Sequence, residues 1–149
     1  MFYVVGLGNP DARYDGTRHN VGRDLVFSLA GGRDRFRSHS YAKALVALDQ
    51  DVTWVVPETY MNRSGETVRF FAEKEQVQPA QFIVVYDDVD LPVGEVRVAF
   101  GRGAGGHNGV ADVITALKSK DFPRIRIGIA PVGFFTGKAR RPKGGAPMT

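Results

Sequence analysis

The chain has no cysteine in its 149 residues, only three histidines and a single tryptophan. Without cysteine there is no disulfide framework, no thiolate nucleophile and no cysteine-ligated metal. The histidines His19, His39 and His107 lack the close spacing of zinc motifs, so no metal is expected. Long apolar runs are missing as well, and no stretch is long enough to cross a bilayer. The opening "MFYVVGLGNP" has neither the charged lead nor the extended apolar core of a signal peptide. A cytoplasmic location is the expectation. Acids are in deficit: 16 Asp and Glu against 20 Lys and Arg give a formal net charge of +4 and a pI near 9.6. That balance suits a polyanionic partner such as nucleic acid.

What is present reads as one α/β domain, a twisted mixed sheet flanked by helices. Residues 2–7 form an apolar strand that runs into a turn at Gly8-Asn9-Pro10. His19 to Ala30 places Val21, Leu25, Val26 and Leu29 at helical spacing, with Thr17 as N-cap and Gly31-Gly32 as stop. Residues 33–40 are polar and basic and read as a loop. "ALVALDQ" and "VTWVVP" read as paired strands, and residues 60–75 as a second helix. "FIVVYDD" has the continuous apolar character of a central strand. "GEVRVAF" alternates, as a strand with one wet face would. "GRGAGGHNG" feeds a helix over 109–118, and "RIRIGIA" is a further strand. After Pro131 periodicity fails, and the Gly/Pro/basic residues 132–149 read as a loose tail behind a domain of residues 1–131.

Three polar clusters fall at strand ends or loop-to-helix junctions, where α/β proteins build sites. They are Asn9 with Tyr14 and His19; Tyr60-Met61-Asn62; and Asp87-Asp88 with His107-Asn108. A histidine base needs a partner that fixes its tautomer, and Asp87, first off its strand, is the candidate. An acidic cap or turn residue is the alternative for Asp87, and a helix-start residue packed on the sheet is the alternative for His19. "GLGNPD" begins like a dinucleotide loop but lacks the third glycine, and Pro10 and Asp11 stand where the chain should turn into a helix. "GRGAGGHNG" lacks the G-K-[ST] ending of a nucleotide-triphosphate loop, yet its amides suit an anion. Arg97, Arg102, Lys118, Lys120, Arg124 and Arg126 gather around it in sequence.

The stretches "VVGLGNPDARYDGTRHNVG", "PETYMNRSGE", "YDDVDLPVGEVRV", "GAGGHNG" and "FPRIRIGIAP" resemble, in order, those of the bacterial peptidyl-tRNA hydrolase family, over most of residues 3–131. The resemblance implies hydrolysis of the ester between a peptide and the 3′-terminal ribose of tRNA, as in ribosome rescue during translation. It implies a monomer and no metal or cofactor. By the same resemblance His19 matches the general base, Asp87 the acid that holds it, and Asn9 the residue that helps tell a blocked amine from a free one. Tyr14, Tyr60, Met61, Asn62, His107 and Asn108 match the substrate-binding set. Phosphate contacts are expected at Arg97, Arg102, Lys118, Arg124 and Arg126.

The chain departs from the family at Asp11, in a shorter 31–41 link, and at Ala99 where a basic residue is common. The family's closing C-terminal helix is expected to be replaced by the 132–149 tail, leaving apolar surface uncovered. Two rivals follow. One is a non-catalytic RNA-binding relative, and the other is a nicotinamide-dependent oxidoreductase built on "GLGNP".

Overall fold

The computed structural model describes residues 1–131, and the expectation of a loose tail at 132–149 lies outside the described residues. Seven strands form one sheet among these residues. They are β1 (Phe2–Gly6), β2 (Arg37–His39), β3 (Ala44–Leu48), β4 (Val52–Pro57), β5 (Phe82–Pro92), β6 (Val96–Phe100) and β7 (Pro123–Ala130). Three α-helices accompany them: α1 (Val21–Leu29), α2 (Gly65–Lys74) and α3 (Asn108–Leu117). The strand order is β2-β3-β4-β1-β5-β7-β6. The inner pairs β4–β1, β1–β5 and β5–β7 are parallel, and the outer pairs are antiparallel.

This order follows from the residues. β1, β4 and β5 are rich in valine, and Val5, Val55 and Val84 are fully buried, as parallel strands covered on both faces require. One face packs Tyr3, Val5, Leu7 and Val84 against Val68 and Phe71 of α2 and Val110 and Val113 of α3. The other packs Val4, Val56 and Val85 against Val26 and Phe27 of α1. β4 leads through α2 to β5 on the far side of β1. The strand order therefore reverses around β1, the kind of switch point beside which α/β proteins build sites, and the loops after β1 and β4 meet there.

Three readings of the sequence need correction. Residues 33–40 are not a plain loop, since Arg33–Arg35 form a 3-10 turn and Arg37–His39 pair with Ala44–Val46. The strand is short, polar and at the sheet's edge, so it leaves no apolar period. Helices α1 and α2 start later than the apolar spacing suggests, because Arg18–Asn20 and Met61–Arg63 are 3-10 turns that precede them. Thr17 occupies a cap position, but its hydroxyl donates backward to the Tyr14 carbonyl (2.6 Å). β6 does not have one wet face. It pairs with β7 alone, and Val96, Val98 and Phe100 are all exposed. No helix among the described residues is long and apolar enough to cross a membrane.

Candidate active site

Asp87 lies on β5 two residues beyond the last β1 pairing, Gly6 with Val85, so its carboxylate projects past the end of β1. Its side chain is only 3% exposed. Both oxygens are taken by histidines: Oδ2 accepts from His19 Nδ1 and Oδ1 from His107 Nε2, each at 2.7 Å. A carboxylate is an acceptor only, so both ring nitrogens that face it carry protons. Burial alone would raise the Asp87 pKa, but the hydrogen bonds from His107 and His19 outweigh it and hold the group below its ordinary value of 3.8.

The two histidines differ. His107 is the N-cap of α3, and its Nδ1 accepts from the Val110 N–H (3.2 Å). Both of its nitrogens are therefore engaged, and its side chain is 11% exposed. His107, expected among the substrate-binding residues, has its ring turned toward the buried Asp87. His19 is 52% exposed in its side chain, and with Nδ1–H on Asp87 its Nε2 is left as a lone-pair acceptor toward solvent. The hydrogen bond to Asp87 raises the His19 pKa above 6.5, against the opposing effect of partial burial.

Local packing brings His19 to this place. A Cβ at Gly22 would sit 2.3 Å from the Val85 carbonyl oxygen, so only glycine lets α1 settle this closely on β5. Gly109 opens α3 against side chains rather than backbone: a Cβ there would lie 2.6 Å from Met61 Sδ and 3.1 Å from His107 Cε1. Asn20, fully buried, clamps the backbone of Asn9 at two points. Its Oδ1 accepts from Asn9 N–H (2.8 Å), and its Nδ2 donates to the Asn9 carbonyl (2.9 Å). Asn9 Oδ1 in turn accepts from the Met61 N–H (2.8 Å), which ties the loop after β1 to the loop after β4. The Gly65 N–H donates to Asp112 (2.7 Å) and ties that loop to α3. The Asn9, Asn62 and Asn108 side-chain NH₂ groups bond to no other group among the described residues. Tyr60 is 55% exposed, Met61 is half-buried and packs on the core, and Tyr14 is half-buried under the Arg13 guanidinium (5.0 Å to the ring centroid).

The basic residues separate into three groups. Arg102 and Lys118 are exposed and bear no ion pair among the described residues. Arg97 is exposed and pairs with Glu95 (3.0 Å). Arg126 is 8% exposed and its Nε bonds Asp88 (2.7 Å), so a phosphate there would compete with that pair. Arg124 requires a correction. It is completely buried and donates to backbone carbonyls, so a phosphate cannot reach it. Sequence reasoning also missed Asn20. The one available signal was its place directly after His19, ahead of an apolar run.

With this geometry in place, comparison with known proteins is specific. Residues 3–139 match the family described as peptidyl-tRNA hydrolase. The peptidyl-tRNA hydrolase of Halalkalibacterium halodurans is 45% identical over 133 residues, covering 87% of this chain and 72% of the relative. That of Aromatoleum aromaticum is 44% identical, covering 87% and 68% respectively. The crystal structure of the Acinetobacter baumannii enzyme superposes with a TM-score of 0.80 at 34% identity, over 89% of this chain and 70% of that one. The buried Asp87 between two histidines, the sheet order and these matches agree: the chain belongs to the peptidyl-tRNA hydrolase family.

Proposed function

We propose that this chain hydrolyses the ester of peptidyl-tRNA with water activated by His19. The observation that carries the reading is the sharing of Asp87 between His19 and His107, which leaves His19 Nε2 unprotonated and facing solvent. A water bound to Nε2 gives up a proton as its oxygen attacks the ester carbonyl. The imidazolium that forms is stabilised by the Asp87 carboxylate, buried and already ionised. The tetrahedral oxyanion then collapses, the bond to the ribose oxygen breaks, and the His19 proton passes to that oxygen. Free peptide and tRNA result, with atoms and charge balanced.

The side-chain amides near this base have assigned work. Asn62 and Asn108 carry unengaged NH₂ groups suited to the attacked oxygen or to peptide carbonyls. Asn9 spends its Oδ1 on Met61 and presents its NH₂ to the amine end of the substrate. Tyr14, Tyr60 and Met61 line the approach for the peptide. An ester is activated relative to an amide, so positioning, one base and a few donors suffice. Contact with the tRNA backbone, a monomeric state, a cytoplasmic setting and a role in translation complete the proposal. Turnover of a purified peptidyl-tRNA by the intact chain and by His19→Ala tests it. The reading requires hydrolysis by the first and almost none by the second.

A further inference from the structure

Arg124 is the largest fully buried side chain described, and no carboxylate pairs with it among the described residues. Its guanidinium donates to four carbonyls instead. Nε reaches Phe122 (3.2 Å), Nη1 reaches Gly103 (3.4 Å), and Nη2 serves both Arg102 (2.5 Å) and Lys120 (3.0 Å). The group also lies 3.9 Å over the centroid of the Phe122 ring. A guanidinium does not lose its proton in proteins, so a full positive charge sits here against carbonyl dipoles alone.

The clasp has a consequence at the surface. Two segments distant in sequence, 102–103 and 120–122, converge on one guanidinium, and its Nη2 draws the Arg102 and Lys120 carbonyls together. Both are exposed, as is Lys118, whose left-handed backbone (φ 54°) ends α3 just before this turn. These three carry no ion pair among the described residues, whereas Arg97 and Arg126 hold Glu95 and Asp88. A single acid interrupts the group. Asp121 is exposed, and its Oδ1 lies 3.6 Å from where a Cβ of Gly101 would stand.

We infer that Arg124 is a positioning residue that clasps the glycine-rich loop to the 118–122 turn, so that Arg102, Lys118 and Lys120 form a rim for phosphodiester oxygens of a nucleic acid. The inference rests on the hydrolase reading above and deepens it. The same loop runs into His107, so a phosphate on the rim and the Asp87 pair are held in register by one segment.

The test is the salt dependence of binding a deacylated tRNA to the full chain, run beside hydrolysis of peptidyl-tRNA and of an N-blocked aminoacyl ester of adenosine. Replacing both Arg102 and Lys120 by alanine is expected to weaken tRNA binding roughly ten- to a hundredfold at low salt. The slope of log affinity against log salt should fall by about 2. The loss of kcat/KM should be larger for peptidyl-tRNA than for the short ester. Asp121→Asn removes the one opposing charge and is expected to tighten binding. Arg124→Lys keeps the buried charge and the place over Phe122 but cannot make the four-point clasp, and its affinity is expected to fall despite the unchanged net charge. An unchanged slope in the double variant, or an unchanged affinity in Asp121→Asn, overturns the rim. Full affinity in Arg124→Lys overturns the clasp, and the two exposed variants decide the rim without it. Absence of ester turnover in the unaltered chain overturns the hydrolase reading, while the salt slopes judge the rim independently.

Discussion

The loop that ends in His19 and the loop that ends in His107 deliver the same side chain to the same carboxylate, yet they make different things of it. His107 is 11% exposed and engaged at both nitrogens, by Asp87 and by the Val110 N–H. His19 is 52% exposed and engaged at one. What sets them apart is the last hydrogen bond each can make. A helix N-terminus supplies it for His107 and consumes the lone pair. For His19 the helix starts later, at Val21, with Asn20 turned inward to hold Asn9, and the lone pair stays open. On the proposed reading, the base of this site is the histidine left incomplete. Its partner is complete so that Asp87 stays ionised and fixed.

The sharpest way to break this comparison is to remove His19. His19→Ala is expected to lower turnover by roughly 10²–10⁴, the range that a general base supplies. Because the ring is half exposed, water takes over its hydrogen bond to Asp87 Oδ2, so stability should change by less than about 1 kcal/mol. Rates on peptidyl-tRNA and a denaturant titration measure both, and near-normal turnover would remove His19 from the chemistry. Asp87→Asn comes next, at roughly 10²–10³. An asparagine offers one oxygen and one NH₂. His107 must keep donating through Nε2, because its Nδ1 serves Val110, so it claims the oxygen. The NH₂ then faces His19 Nδ1 and drives the proton onto Nε2, the position that must be empty. Nitrogen NMR of His19 reports the tautomer directly. A ring still protonated at Nδ1 in this variant would contradict the account.

Much of this arrangement was legible in the residues. The valine-rich runs gave β1, β4 and β5, and the turn residues placed the loops after β1 and β4 that hold two of the polar clusters, while Asp87 and Asp88 lie within β5 itself. What escaped was decided by contacts between distant segments. Three polar residues, Arg37–His39, become a strand only because β3 offers an edge. In "RIRIG" the alternation places isoleucine on one face and arginine on the other, and nothing local says which face is closed. The arginine face proved to be the more buried one, with Arg124 inside because the carbonyls of Arg102, Gly103 and Lys120 receive it, while Ile125 and Ile127 are only partly buried. Likewise His107 and Asn108 are neighbours of equal promise in the sequence. The start of α3 turns the first inward to Asp87 and leaves the second exposed.

His107→Ala sharpens the comparison from the other side. It deletes the N-cap acceptor of α3 and one of the two donors to a buried carboxylate. A cap contributes about 1 kcal/mol, and an orphaned buried acceptor costs about 1–3 kcal/mol. A loss of about 2–4 kcal/mol in unfolding free energy is therefore expected, read as a lower denaturant midpoint at unchanged slope. Turnover should fall only about tenfold, since His19 keeps its partner while that partner is less well oriented. The two histidines then exchange signatures: His19→Ala costs rate without stability, and His107→Ala costs stability with a lesser share of rate. If His107→Ala proved as inactive as His19→Ala yet fully stable, the inward-facing role given to His107 would be wrong.

The smallest expected effect is a displacement of the acid limb in the pH–rate profile of the unaltered chain. The hydrogen bond to Asp87 raises the His19 pKa above 6.5, with partial burial working against it. Catalysis needs the neutral ring, so kcat/KM should fall tenfold per pH unit below that raised value. The stability contribution has the opposite sign. A raised pKa means the folded state favours the charged ring, so this contribution is full below 6.5 and fades as pH rises through the folded value. For Asp87 the folded pKa lies below 3.8, so its contribution is full above 3.8 and fades as pH falls through the lower folded value. The pair therefore stabilises the fold most between about 4 and 6.5, while activity grows as the His19 share of that stability is given up. A rate profile set beside a proton-detected titration of His19 checks the point. The two midpoints should coincide and lie above 6.5. A limb at or below the ordinary histidine value would mean that Asp87 orients His19 without strengthening it as a base.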